Sequence, residues 1–141
     1  MRVRRIGEGE FLLVCDAGDE LPAVLLDWAG AYAVASAALS GIGACESVTL
    51  GYFDPRTRQY VNARLDEQFE VLAFTGNLTR LEGEPRLHAH VVLGRRDGST
   101  AGGHLIGARV HPTLEIFART LPVAIERRAD AASGIPLIDL S

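Results

Sequence analysis

The sequence predicts a mostly antiparallel β-sheet with one main α-helix packed against it, in a single domain of 141 residues. Three observations carry this. Runs rich in β-branched, apolar and aromatic residues recur along the chain and are punctuated by Asp, Gly and Pro turns. Only one stretch, near the N-terminus, sustains helical spacing of its apolar positions. No internal repeat, low-complexity linker or heptad pattern divides the chain, and its length suffices to bury a core without disulfides or a structural metal.

Phe11 to Cys15 is the first expected strand. Asp19 or Glu20 then caps the helix, with Pro22 in its first turn and Leu21, Val24, Leu25, Trp28 and Tyr32 along one face. On that face Trp28 reads as core. From Ala33 to Ala44 two readings stand, because the alanines favour continued helix while Ser40-Gly41-Ile42-Gly43 breaks one. Val48 to Phe53 and Gln59 to Arg64 are strands joined by Asp54-Pro55-Arg56-Thr57, whose proline suits the second position of a type I turn. Phe69 to Leu81, the run around His88, Thr100 to Val110 and Leu114 to Leu121 follow as further strands, the first two separated by Glu82-Gly83-Glu84-Pro85. The segment Ser133 to Leu140 is apolar for a tail and is expected to dock on the domain or on a neighbouring subunit.

Three of the four histidines fall within seventeen residues: His88, His90 and His104. In a strand, His88 and His90 point to one face while Leu87, Ala89, Val91 and Leu93 point to the other. Whether His104 joins them depends on the turn between the strands. A three-residue loop of Arg96-Asp97-Gly98 pairs Arg95 with Ser99 and sets His90 opposite His104, whereas a two-residue Asp97-Gly98 loop turns His104 to the other face. In the first register the imidazoles converge within reach of one metal ion. Three neutral imidazoles with an open fourth position suit zinc, and also accommodate copper, nickel or iron. The bland alternative is a set of half-buried histidines hydrogen-bonded to neighbours. Gly102 and Gly103 mark a bulge or a place where a ligand or another backbone comes close. His111 falls on the opposite face from His104 in a regular strand and reads as structural or exposed.

Formal net charge is −4 and all fourteen basic residues are arginine, so the overall field repels a phosphate backbone. The basic groups Arg2/Arg4/Arg5, Arg95/Arg96 and Arg127/Arg128 are short and read as solvated surface. Cys15 and Cys45 lack CxxC spacing and read as buried reduced thiols of a cytoplasmic protein. The N-terminal apolar run is too short for a signal peptide, and no segment approaches the roughly 18 apolar residues of a membrane span.

Phe69-Glu70-Val71-Leu72-Ala73-Phe74-Thr75-Gly76-Asn77, Leu87-His88-Ala89-His90, Asp97-Gly98, Gly102-Gly103-His104-Leu105 and Thr113-Leu114-Glu115 resemble the successive motifs of the PPC (plants and prokaryotes conserved) domain family. Ser40-Gly41-Ile42-Gly43-Ala44 and Leu50-Gly51-Tyr52-Phe53-Asp54 match as well, so the resemblance spans about residues 8–122 of a single PPC-like domain 1–141, with 123–141 as a C-terminal extension. It implies an α+β fold with a central antiparallel sheet, a homotrimer, strand rather than helix over Ala33 to Ala44 and, as in several prokaryotic members, a metal held by His88, His90 and His104, for which the imidazole donor set points to zinc. In plants an AT-hook precedes the domain and contacts DNA, whereas prokaryotic members usually consist of the domain alone. This chain has no Arg-Gly-Arg-Pro hook, so DNA binding by the chain alone is expected to be weak. The alternatives are a DNA-associated regulator and a metal-dependent enzyme, since the fold is similar to that of acetolactate decarboxylase. In the enzyme reading a small molecule binds at the metal, with Glu115 or Arg109 as a neighbouring acid/base or anion-binding group.

Overall fold

The alanine-rich stretch after the helix is strand. In the computed structural model, which describes residues 1–141, α1 (Ala23–Ala31) ends abruptly and β4 (Ser36–Asp54) runs on for 19 residues. Its first part alternates, with Ala37 and Leu39 buried and Ala38 and Ser40 exposed, the two-residue period of a sheet. Small residues are required here because β4 is flanked on both sides. A Cβ on Gly41 would stand 2.4 Å from the carbonyl oxygen of Glu115.

The remaining strands are β1 (Arg2–Gly7), β2 (Glu10–Asp16), β3 (Glu20–Leu21), β5 (Gln59–Leu65), β6 (Phe69–Leu81), β7 (Glu84–Gly94), β8 (Thr100–Leu121), β9 (Glu126–Ala129) and β10 (Pro136–Ile138). β4 pairs antiparallel with β6 and β8, β6 with β7, and β7 with the first residues of β8. These pairings close a ring. The curled sheet wraps a core that includes Phe69, Phe74, Leu93, Leu114 and Ile116, each at most 2 % exposed. Register shifts in β4 and β6 supply the bends that such curling needs. β2 and then β1 extend the sheet beyond the second half of β8, and β5 pairs with β4.

The helix starts later than the Asp19 or Glu20 cap predicts. Glu20 and Leu21 pair with Arg109 and Ala108 as β3, and Pro22 occupies the cap position without a side-chain hydrogen bond. The Asp19 carboxylate is engaged elsewhere, accepting from the backbone N–H of Asp16 at 2.8 Å and facing the terminal amine at 2.8 Å. Leu25, Trp28 and Ala29 are the helix residues buried against the sheet, and Phe11 packs edge-on to Trp28. The two strands expected over 100–110 and 114–121 are one strand, β8. Pro112, which has no N–H for a ladder, sits where the β4–β8 register shifts. Likewise the turn after β4 is one residue longer than a type I turn alone, since Asp54 pairs with Gln59 and Arg58 takes a φ of +56°.

The tail folds back on its own chain. β10 pairs antiparallel with β9, and β9 pairs parallel with the end of β6 at Arg80 and Leu81. Cys15 and Cys45 are both buried free thiols. No helix is long and apolar enough to cross a membrane. The outward face of β4, β6 and β8 leaves Ile42, Leu72 and Phe117 more than half exposed, at 61 %, 51 % and 55 %.

Candidate metal centre

The turn between β7 and β8 sets the site. Arg95 N–H donates to the Ser99 carbonyl at 2.8 Å and Gly98 N–H to the Arg95 carbonyl at 3.0 Å, so the loop is Arg96-Asp97-Gly98. Gly98 supplies the left-handed residue, with φ +82°, and the Asp97 carboxylate accepts from Ser99 N–H at 2.9 Å. This register sets His90 directly opposite His104, and His88 follows on the same face of β7.

Two close approaches hold the strands under these rings. A Cβ on Gly102 would lie 2.7 Å from the Val91 carbonyl oxygen, and one on Gly103 would lie 3.2 Å from that of Gly51. The glycines before His104 therefore accommodate neighbouring backbone. Gly76 plays the same part beneath His88, whose carbonyl oxygen would stand 2.7 Å from an added Cβ.

The imidazole centroids are 5.2 Å apart for His88 and His90, 5.1 Å for His88 and His104, and 5.5 Å for His90 and His104. One ligand nitrogen from each lies within 4.8 Å of the other two. A tetrahedral ion with bonds of about 2.1 Å sets its ligand nitrogens about 3.4 Å apart, which modest rotation of the side chains supplies. His104 Nδ1 is buried and has no hydrogen-bond partner in the chain, so one nitrogen of the cluster lacks any protein group to satisfy it. Burial, followed by the neighbouring His88 and His90, pushes His104 down to about 4. Burial, then the charge of Arg127, also holds His88 below its ordinary value. Both rings are therefore neutral near pH 7, the form whose lone pair binds a metal. The donor set fits a divalent ion.

Two side chains beside the rings were not legible as site residues. Arg127, read from its neighbour Arg128 as solvated surface, is 8 % exposed. Its guanidinium donates to Thr79 Oγ1 at 2.8 Å, Asn77 Oδ1 at 3.0 Å and the Pro136 carbonyl at 3.2 Å, and its Nη2 stands 3.3 Å from His88 Nδ1. The docked tail covers it, because Ile138 of β10 pairs with Arg127 of β9. Tyr60 of β5 lies tilted against His104, with ring centroids 5.0 Å apart.

The other expected neighbours are not brought to the cluster. Arg109 lies five residues beyond His104, roughly 17 Å along β8 at the usual strand rise. There it pairs with Glu46 at 2.6 Å and Glu20 at 3.6 Å. Glu115 is farther still along the same strand and is exposed beside Ile42 and Leu72. Strand geometry separates both from the imidazoles within this chain. His111 is exposed, and its carbonyl accepts from Gln68.

The sequence profile of the Plants and Prokaryotes Conserved domain, abbreviated PCC or PPC, matches residues 6–122. The chain belongs to this family. Among solved structures, the PCC chain is similar to a metal-containing protein from Archaeoglobus fulgidus, with 35 % identity, a TM-score of 0.87, and coverage of 95 % of this chain and 94 % of that one. It is also similar to a PPC protein from Pyrococcus horikoshii, with 29 % identity, a TM-score of 0.87, and coverage of 98 % and 93 %. A candidate DNA-binding protein from Bacteroides thetaiotaomicron superposes with a TM-score of 0.94 at 27 % identity, covering 98 % and 96 %. No curated protein matches the PCC chain.

Proposed function

We propose that this PCC-domain protein holds one divalent ion, zinc, through His88, His90 and His104, and that it works as a homotrimer. The observation that carries the reading is the convergence of three imidazoles, one of which, His104, keeps a buried Nδ1 with no partner in the chain. An all-imidazole donor set suits zinc, which, held by His88, His90 and His104, would supply Lewis-acid chemistry there. Tyr60 packs on His104. The Archaeoglobus relative, a metal-containing protein, supports the same reading.

Homotrimer formation is supported by the exposed Ile42, Leu72 and Phe117 on one sheet face and by the uncovered edge strand β1, surface that symmetric association buries. The free, buried Cys15 and Cys45 are in keeping with a reducing cytoplasm. A DNA-associated role is favoured by the description of the Bacteroides neighbour. Against it stand the net charge of −4 and the burial of Arg127, which removes one of the few basic groups from the surface.

Elemental analysis of zinc-loaded wild type and of the His90→Ala variant tests the proposal. About one zinc per chain in wild type and its loss in the variant are expected. Equal metal content in both contradicts the site.

A further inference from the structure

Beside His88 and His104 opens a cavity of about 200 Å³, smaller than a site for a drug-sized ligand. Its polar lining comes from Tyr60, Asn62, Arg86 and Arg127 together with the two imidazoles, and its apolar wall includes Ile106 and Pro136. No carboxylate lines it. The polar lining therefore combines neutral groups with two cations and holds no negative charge.

The charge balance of Arg127 is unusual for a side chain so deeply buried. Taking a guanidinium out of water is costly unless a counter-charge faces it. Yet all its partners are neutral: a hydroxyl, an amide oxygen, a backbone carbonyl and an imidazole nitrogen. Neither Arg127 nor Arg86 forms an ion pair with any carboxylate of the chain. These acceptors leave one N–H of the guanidinium without a partner. Since a guanidinium only donates, His88 Nδ1 accepts in the 3.3 Å contact. An ion taken by His88 either uses that nitrogen or moves the ring proton onto it, and both release a further N–H of Arg127. Arg86 lies two residues before His88 on the same face of β7, so a second cation borders the same cavity.

We propose that this cavity is a binding site for a small oxyanion, a carboxylate or a phosphoryl group, held by Arg127 and Arg86 next to the three histidines. The ligand supplies the negative charge that the fold withholds, and planar oxygens match the guanidinium fork. The site depends on the tail, because Arg127, Ile135, Pro136 and Leu137 all lie beyond residues 6–122 that match the family. It extends the metal reading of the same pocket, but the two arginines act whether or not an ion is bound.

Isothermal titration calorimetry on the full chain, metal-free and zinc-loaded, with succinate and with inorganic phosphate as probes, tests this. Saturable binding of at least one probe per chain is expected, weakened about tenfold or more in Arg127→Gln or Arg86→Gln, as loss of a charged hydrogen bond implies. Succinate alone assigns a carboxylate ligand, and phosphate alone assigns a phosphoryl group. Weakening in either folded variant supports the site. No saturation by either probe at millimolar concentration, or wild-type affinity in the folded variants, overturns it. Should circular dichroism show Arg127→Gln unfolded, Arg86→Gln decides alone, because that side chain is exposed. Anion binding without zinc binding would sink the metal reading and leave this one standing, and zinc binding without anion binding would do the reverse.

Discussion

Replacing Gly76 by Ala strikes the support beneath the histidines without touching a ring. The added Cβ would stand 2.7 Å from the His88 carbonyl oxygen and 2.9 Å from the Ala89 Cβ. Ordinary contact needs about 3.5 Å, so β7 must retreat from β6 by roughly 0.8 Å at His88. Overpacking of this kind costs about 1–3 kcal/mol. The retreat moves His88 relative to His104, which is held on a different strand, and zinc affinity should fall about tenfold or more, as it does when support for a metal ligand is lost. Urea unfolding of the metal-free protein and calorimetric zinc titration read the two effects. Gly30→Ala is the matched control, since a Cβ there meets nothing within 4 Å and alanine favours the helix. A change below about 0.5 kcal/mol for Gly76→Ala, with zinc affinity matching the control, would refute the reasoning.

Chelation should leave the fold intact, because the 25-residue core cluster contains none of the histidines; loss of the β-sheet signal in circular dichroism on adding chelator contradicts this. The metal-free protein should lose stability as pH falls from 6.5 toward about 4. In that window the unfolded chain binds a proton that folded His104 refuses, so unfolding is favoured as protons are added. His104→Gln should flatten the slope of urea midpoint against pH, and an unchanged slope would refute the assignment. Light scattering should give a trimer for the full chain and, because the tail docks on its own subunit, for a chain ending at Ala132 as well. A monomeric mass for the full chain at micromolar concentration contradicts the assembly.

Those features of the fold that rest on local alternation were legible in the sequence. β6 has the predicted bounds, Phe69 to Leu81, and the sequence offers two loop lengths at Asp97-Gly98, of which the three-residue Arg96-Asp97-Gly98 loop forms and sets the histidine register. Propensity misled where pairing decided. Glu20 looks like a cap but is claimed by β3, whereas over Ala33 to Ala44 propensity left helix and strand open, the family resemblance implied strand, and strand forms from Ser36 between β6 and β8. Three histidines could be grouped from spacing, but Arg127 could not. Its burial follows from a short parallel pairing of β9 with β6 and from a tail strand laid over it, both long-range contacts with no local signature. Arg109 and Glu115 lie apart from the imidazoles of their own chain for a local reason. They share the long strand that carries His104, and an extended strand carries residues apart.

Anomalous diffraction at the zinc edge from crystals of the zinc-loaded protein locates the ion. One strong peak per chain is expected, at about 2.1 Å from one nitrogen each of His88, His90 and His104. A peak elsewhere, or none at the histidines, would contradict the metal site.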